Sequence, residues 1–339
     1  MATFTLEAPA KINLFLDVKS HRTNEGYHLL DTLMVPVSLY DSLTVEIDPL
    51  EDGPMSPPVE TPPINIRFSP ELSCEAHASS VYKALLAMHD AFREGVFENS
   101  FRVAVDKRIP EKSGLGGGSS DAAAIILALC RLWELDPLST EIIEVASKIG
   151  ADVPFFLYSS VCSKESNGRG AAYLQGIGEE LVCTLDALNL NLVLIKAPQA
   201  QIATAEAYAL FDQEHPGGKN IQQFLSAYKA AVAAPDVFSA PAVVPQNLMA
   251  PTAQELFAAM GNNLEPLAIK LDSSIEEVRH YLIAQPSVVA TMLAGSGAAM
   301  FGICPALKDC EDIAFDAAQK GWWAQAVSTK CTGLSLLAF

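Results

Sequence analysis

Apolar and less apolar positions alternate along the first 47 residues. Ile12, Leu14, Leu16 and Val18 share one face, and Leu43, Val45 and Ile47 repeat the rhythm, so strands are predicted on both sides of a polar turn at His21–Gly26. The spacing changes at 75–92, where a helix is predicted to end near Gly95. Phe101, Val103 and Val105 mark another strand, and 106–118 reads as a loop. Ala122, Ile125, Ile126, Leu129, Leu132 and Trp133 then recur at helical spacing. Thr140 is a candidate cap for the next helix, with Glu141 in its first turn and Gly150 ending it. The short apolar run Phe155–Tyr158 fits neither period.

Leu192–Ile195 reads as a buried strand, and a domain boundary is placed near 190, giving units 1–190 and 191–339. Residues 200–285 are predicted mostly helical, interrupted at 215–218 and by the proline-bearing stretch 235–251. Val288–Leu293 and Ala299–Ile303 are predicted as paired strands around Gly295-Ser296-Gly297. Antiparallel hairpins mixed with long helices argue for an α+β fold, not a doubly wound parallel sheet.

Composition narrows the function classes. The chain has 339 residues, half of them hydrophobic, which suits two domains or one divided unit. Its formal charge of -18 repels nucleic acid and anionic lipid, and no basic tract interrupts it. Any anion site must therefore be local, built from backbone amides and a few lysines. Seven cysteines without a CxxC pair or metal spacing read as free thiols in a reducing compartment. No run of about 18 apolar residues predicts a membrane span. A cytoplasmic location is expected, or an organelle stroma after loss of a targeting peptide.

The chemistry concentrates between Lys107 and Ala123. Gly114, Gly116, Gly117 and Gly118 place four glycines within five residues, after a strand and before a strong helix. Glycine lets amides turn inward, and the helix start adds unpaired N–H groups and a positive dipole end. The pattern reads as a phosphate cradle, with Ser119 and Ser120 able to donate to phosphate and Ser119 able to help hold Mg²⁺. No lysine follows the last glycine, so this is not a P-loop, and no acidic residue ends a following strand as a dinucleotide site needs. The alternative is a flexible glycine turn with Ser119 as an ordinary helix cap. That turn would carry an entropic cost of about 0.5–1 kcal/mol per glycine with nothing to offset it. By itself the second turn, Gly295-Ser296-Gly297, reads as a plain β-turn.

Six segments, in this order, resemble the GHMP kinase superfamily. They are Pro9–Leu16, Gly26-Tyr27-His28, Lys107–Pro110, the loop from Gly114 to Ala123, Gly150–Phe156 and Gly295–Gly297. Lys11-Ile12-Asn13-Leu14 followed by Gly26-Tyr27-His28 most resembles the branch that phosphorylates the 2-hydroxyl of 4-diphosphocytidyl-2-C-methyl-D-erythritol in non-mevalonate isoprenoid synthesis. The likeness covers about the first 200 residues well and the remainder thinly. It implies a two-domain α+β fold, with a ribosomal-protein-S5-like N-terminal domain carrying the ATP loop and a ferredoxin-like C-terminal domain closing the cleft. It also implies ATP and Mg²⁺, a cytidine diphosphate-linked polyol as substrate, and a monomer or weak homodimer.

The resemblance makes Asp152 the catalytic aspartate; from composition alone it is a turn residue. It places Lys11 beside that aspartate, where a cation would keep the carboxylate ionised and neutralise charge on the moving phosphoryl. Asn13, on the same strand face, would position substrate. Tyr27 would stack on cytosine and His28 would read its edge. Gln201 and Thr204 fall in a further substrate strip. Lys107 and the run Ser113, Gly114, Leu115, Gly116, Gly117, Gly118, Ser119, Ser120 and Asp121 would hold the nucleotide, joined by Gly295, Ser296 and Gly297. Each has a plainer reading as a solvent lysine, edge residue, lid or turn.

Departures from the family pattern fall at Glu111 and Asp121, at the longer turn 21–25, at the proline-rich stretch 49–63 and at 71–84, which borders the adenine pocket in relatives. Two other readings stay open: another small-molecule kinase of the superfamily, and a catalytically silent nucleotide-binding regulator.

Overall fold

A computed structural model describes residues 2–49, 61–92, 99–165, 170–234, 251–330 and 333–338. Most of the proline-rich stretch 49–63, the end of the first predicted helix near Gly95 and most of 235–251 lie outside them. The alternating N-terminus forms two long antiparallel strands, β1 (Ala2–Arg22) and β2 (His28–Pro49), joined by the turn at 23–27. Their first sheet continues through β4 (Asn99–Asp106) to β3 (Ile64–Ser69), which lies parallel to it. A hairpin of β5 (Ala171–Gln175) and β6 (Glu180–Leu185) attaches to β2. The pattern reading did not find this hairpin.

Helices α1 (Ser80–Phe92), α2 (Gly117–Leu132), α3 (Thr140–Ile149) and α4 (Val153–Glu165) cover one face of this sheet. The untyped run Phe155–Tyr158 lies in α4, where Phe155, Phe156 and Leu157 are fully buried. An all-round apolar helix shows no face period, so spacing could not reveal it. Two boundaries shift. Ser139, not Thr140, caps α3, accepting from the Ile142 N–H at 3.4 Å. The loop ends two residues earlier than expected, because α2 begins at Gly117 with Gly116 in the left-handed conformation as its cap.

The second sheet is antiparallel, in the order β11 (Trp323–Ser328), β7 (Asn191–Lys196), β10 (Met300–Cys304), β9 (Ala290–Leu293). Helices α9 (Ser273–Ile283) and α10 (Leu307–Gln319) cover its outer face. Between the sheets, α6 (Ile221–Ala233) and α7 (Pro251–Ala259) join an apolar cluster holding Ile12, Leu14, Val35, Leu194, Phe224 and Phe301. Helices α5 (Thr204–Glu214) and α8 (Glu265–Leu271) flank the cleft. Two late strands return to the first sheet along the edge of β1 opposite β2: β12 (Ser335–Ala338) beside Thr5–Glu7 and β8 (Gly261–Asn262) beside Phe15–Leu16. The architecture is therefore two-lobed α+β, with a sheet and helix layer in each lobe.

Because both faces of β1 are covered, every residue from Ala8 to Val18 is buried. Lys11 and Asn13 can persist inside such a strand only with partners. Those partners define the cleft.

Candidate active site

Lys11 is 3% exposed and its ammonium sits between two oxygens. Nζ donates to Asn13 Oδ1 at 2.8 Å and lies 3.2 Å from Asp152 Oδ2. Asn13 donates in turn to Thr32 Oγ1 at 2.8 Å, and Thr32 donates to the Phe15 carbonyl at 2.8 Å. This chain of bonds fixes the amide so that its oxygen faces Lys11. Asp152, 29% exposed, stands in the turn between α3 and α4 and is the member of the pair open to solvent.

The glycine loop presses on the same lysine. A Cβ on Gly116 would meet Lys11 Cγ at 3.0 Å, and one on Gly295 would meet Lys11 Nζ at 3.2 Å. A Cβ on Gly114 would overlap the Ala294 carbonyl, so the two glycine turns touch backbone to backbone. Both Gly114 and Gly116 have positive φ, the conformation glycine adopts freely. The Lys11 N–H donates to the Leu115 carbonyl at 2.9 Å, which ties β1 to the loop while the Leu115 side chain enters the core.

The first turn of α2 has no side-chain cap; its earliest intrahelical bond runs from Ser120 N to the Gly116 carbonyl. The N–H groups of Gly117, Gly118 and Ser119 precede that bond and stand at the edge of a cavity of about 620 Å³. Lys11, Asp152, Ser119, Thr204 and Ser296 also line it. Unpaired amides, a helix N-terminus and glycines without side chains fit a polyphosphate. Ser119 Oγ lies against Gly150, within 3.5 Å of where a Cβ would be, and so beside the turn that carries Asp152. Among the described residues no group of three His, Cys, Asp or Glu could hold a metal alone. Mg²⁺ fits here only as a companion of phosphate oxygens, with Ser119 and Asp152 as the nearby oxygen side chains.

Other nucleotide-side residues act on the loop itself. Ser113 is buried, donating to the Pro110 carbonyl at 2.6 Å and accepting from Leu115 N at 3.3 Å. Ser120 is fully buried with its hydroxyl unpartnered. Lys107 bonds Asp41 and Asp121, the latter at 2.6 Å. Asp41, which the pattern reading missed, accepts from Arg108 N at 2.6 Å and Ile109 N at 2.9 Å and so anchors the approach to the loop. Burial opposes the charge on Lys107, yet Asp121 and Asp41 outweigh it and hold its pKa above the ordinary lysine value. Burial pushes Asp121 up to about 7; Lys107 draws it down, and the neighbouring Asp41 adds to the rise.

A carboxyl raised from 3.8 to about 7 holds its proton more tightly in the folded chain. Its contribution is thus fully present at low pH and declines as pH climbs through about 7. The melting temperature of the natural chain is therefore expected to fall relative to Asp121→Asn over that interval. Parallel melting curves across the same pH series would refute the shift.

A second cavity, of about 1280 Å³, adjoins the first through Ala151, Ile177, Thr204 and Tyr208. Tyr27 stands at its edge, 62% exposed. His28 is buried, with Nδ1 2.7 Å from the Lys19 carbonyl and its ring 5.5 Å from Tyr208 and 5.2 Å from Phe211. Its Nε2 lies 3.0 Å from Asp212 Oδ1 but off the line of a hydrogen bond. Thr204 pairs with Ser296 at 3.1 Å across the cleft, whereas Gln201 faces away from these cavities and accepts from Lys112 at 3.0 Å. Tyr208, one helical turn after Thr204 and hence on the same face of α5, was legible in the spacing but not singled out.

The tip of the third motif is held by Asn262, which donates to the Leu293 and Gly295 carbonyls at 3.0 and 2.7 Å. Asn262 lies on β8 beside Leu16, so the strand bearing Lys11 and the turn at Gly295 share one anchor.

Two antiparallel-based lobes, a glycine-rich loop opening a helix, and a lysine–aspartate pair facing that loop define a phosphotransferase built around a phosphate loop unlike that of P-loop enzymes. Comparison with known proteins agrees. Residues 79–160 match the model for the GHMP kinases N terminal domain. The chain is 32% identical over 308 residues to the 4-diphosphocytidyl-2-C-methyl-D-erythritol kinase of Desulfitobacterium hafniense, covering 91% of this chain and 89% of the relative. It is 30% identical to the protein of the same name in Variovorax paradoxus, covering 96% and 95%. A crystal structure of 4-(cytidine 5'-diphospho)-2C-methyl-D-erythritol kinase superposes with a TM-score of 0.68 at 27% identity, covering 96% of this chain and 99% of that one. A homoserine kinase from Cytophaga hutchinsonii shares the fold at a TM-score of 0.62 and 16% identity, covering 99% and 98%. The chain belongs to the GHMP kinase superfamily. Among its described residues no helix is long and apolar enough to cross a membrane.

Proposed function

We propose that this chain transfers a phosphoryl group from ATP to the 2-hydroxyl of 4-diphosphocytidyl-2-C-methyl-D-erythritol, a step of non-mevalonate isoprenoid synthesis. The observation that carries the reading is the larger cavity, which adjoins through Ala151, Ile177, Thr204 and Tyr208 the cavity that Lys11 and Asp152 line. Its exposed Tyr27 and the off-line Nε2 of His28 suit a flat base with a polar edge. The names of the relatives support the same substrate.

ATP supplies the phosphoryl group, with Mg²⁺ shielding its charge. Asp152 accepts the proton of the attacking hydroxyl as its oxygen bonds to phosphorus and the bond to the leaving nucleoside diphosphate breaks. Lys11 pairs with that carboxylate and offsets negative charge on the phosphoryl in transit. Asn13 orients the lysine and leaves its NH₂ on Thr32. The N–H groups of Gly117, Gly118 and Ser119 hold phosphate oxygens, and Tyr208 and Thr204 wall the passage between the two cavities. Residues 1–190 act as the ATP-binding unit in this proposal and 191–339 as the closing unit.

The test is a phosphorylation assay across cytidine diphosphate-linked and free polyols. Transfer to the methylerythritol derivative alone is expected; its absence, with transfer to another polyol, would reassign the enzyme within its superfamily. Tyr27→Ala is expected to raise the KM for that substrate by about 5- to 150-fold, because stacking on a base is worth about 1–3 kcal/mol. The KM for ATP should stay put. An unchanged substrate KM would remove Tyr27 from base recognition.

A further inference from the structure

Residues 107–112 separate the nucleotide cavity from a further cavity of about 540 Å³. Lys196 at the end of β7, Gln201 and Trp323 of β11 form the opposite wall. In a chain of formal charge -18, Lys107, Arg108, Lys112 and Lys196 all line this one space. Lys107 is committed to Asp41 and Asp121, and Arg108 pairs with Asp106 at 3.2 Å.

The other two cations are not neutralised. Lys112 Nζ donates at 3.0 Å to Gln201, which carries no charge. Lys196 is 7% exposed, and among the described residues its ammonium has neither a hydrogen bond nor an ion pair. Burial lowers its pKa, Asp272 counters only in part, and Lys112 lowers it further. The carboxylates nearby are otherwise engaged or distant from an ion pair. Glu111 accepts from the Ser73 N–H at 3.0 Å and from the Ser73 hydroxyl. Asp272 accepts from Ser274 N at 2.9 Å and from its hydroxyl at 2.6 Å. Glu71 lines the cavity and forms no salt bridge with either lysine.

A buried ammonium without a partner, placed near a second one, destabilises the chain unless an anion arrives. Trp323 faces Lys196 directly across the β7–β11 ladder, so its half-buried indole stands on the same wall. We propose that this cavity is a second anion site, separate from the glycine loop, which takes a small phosphate- or diphosphate-bearing ligand between Lys196 and Lys112, with any apolar remainder against Trp323. Lysines suit phosphate as compact point charges with three donors each. The site also borders the catalytic loop. The Lys112 carbonyl accepts from Ala298 N at 3.2 Å, and the Ser113 carbonyl accepts from Ala299 N at 2.9 Å. An anion on Lys112 would therefore bear on the second glycine turn.

The experiment is a calorimetric titration of pyrophosphate, and separately of inorganic phosphate, into the full chain saturated with a non-hydrolysable ATP analogue. One equivalent of pyrophosphate is expected to bind, more weakly as salt is added. The phosphate arm shows whether one phosphoryl group suffices. Lys196→Met should weaken binding by at least about tenfold, the loss of one charge-assisted contact. Without ligand it should melt at or above the temperature of the natural chain, and pyrophosphate should raise the melting temperature of the natural chain alone. Lys196→Gln serves if the methionine variant does not fold. Binding that disappears once the analogue fills the nucleotide site would overturn the proposal, as would equal affinity in the natural chain and the variants. Phosphoryl transfer is not read in this experiment, so its failure leaves the proposed activity standing.

Discussion

Asp152→Asn is expected to retain ATP binding and to lose about 10²- to 10⁴-fold in kcat, or roughly 2.7–5.5 kcal/mol of transition-state stabilisation. Asparagine keeps the size and hydrogen-bonding reach of the side chain but cannot take the proton of the attacking alcohol. It also leaves Lys11, 3% exposed, without the carboxylate that stands 3.2 Å from its ammonium. Turnover and nucleotide affinity must be read on the same preparation, because ATP binding without turnover is the signature of a removed base. Retention of more than about a tenth of the natural kcat would be too small a loss for a general base. A natural chain that binds ATP and never turns over any polyol would instead favour the silent regulator.

The second large effect falls on stability. Lys107→Met is expected to cost about 3–5 kcal/mol, because it strips the shared cation from two carboxylates, Asp41 and Asp121, that are 0% and 2% exposed. The backbone N–H groups of Arg108 and Ile109 would still bind Asp41, so its carboxylate would remain partly satisfied. Asp121 Oδ1 has no hydrogen-bond partner even in the natural chain, and Lys107 is what draws its pKa down, so without the lysine the buried carboxyl would take up a proton and stay poorly satisfied. Urea unfolding followed by circular dichroism should show a lower midpoint at an unchanged slope. The Lys107→Met/Asp121→Asn pair should recover part of the loss, since the buried carboxyl that must be protonated on folding has gone. A midpoint equal to that of the natural chain would show that the three side chains do not form a coupled unit.

The parts of the site built from short contiguous runs were legible in the residues alone. Gly114–Gly118 stands out because four glycines across the start of a helix suit a ligand cradle better than a bare turn. The alternation around Lys11 and Asn13 put both on one strand face, and they meet at 2.8 Å. What stayed hidden has two physical causes. The described part of α4, Val153–Ser160, is buried on nearly every side, so no period marks it, whereas the β5–β6 hairpin did carry a turn signal in Gly176 and Gly178, both at positive φ. Asp41, Tyr208 and Asn262 matter through partners 66, 180 and 33 residues away: Lys107, His28 and Gly295. No local pattern encodes such pairings. Lys107 shows the converse, since its position was visible and its burial between two carboxylates was not.

From its order of residues alone, this chain was bound to carry an α+β fold with a glycine cradle at the start of a helix, because backbone conformation and hydrophobic period are local properties. Folding decided which charges meet. It set Lys11 against Asp152, drew Asp41 and Asp121 onto Lys107, and left Lys196 and Lys112 facing a common cavity. Burial and distance set the energy of a charge, and both are created only when remote segments pack together.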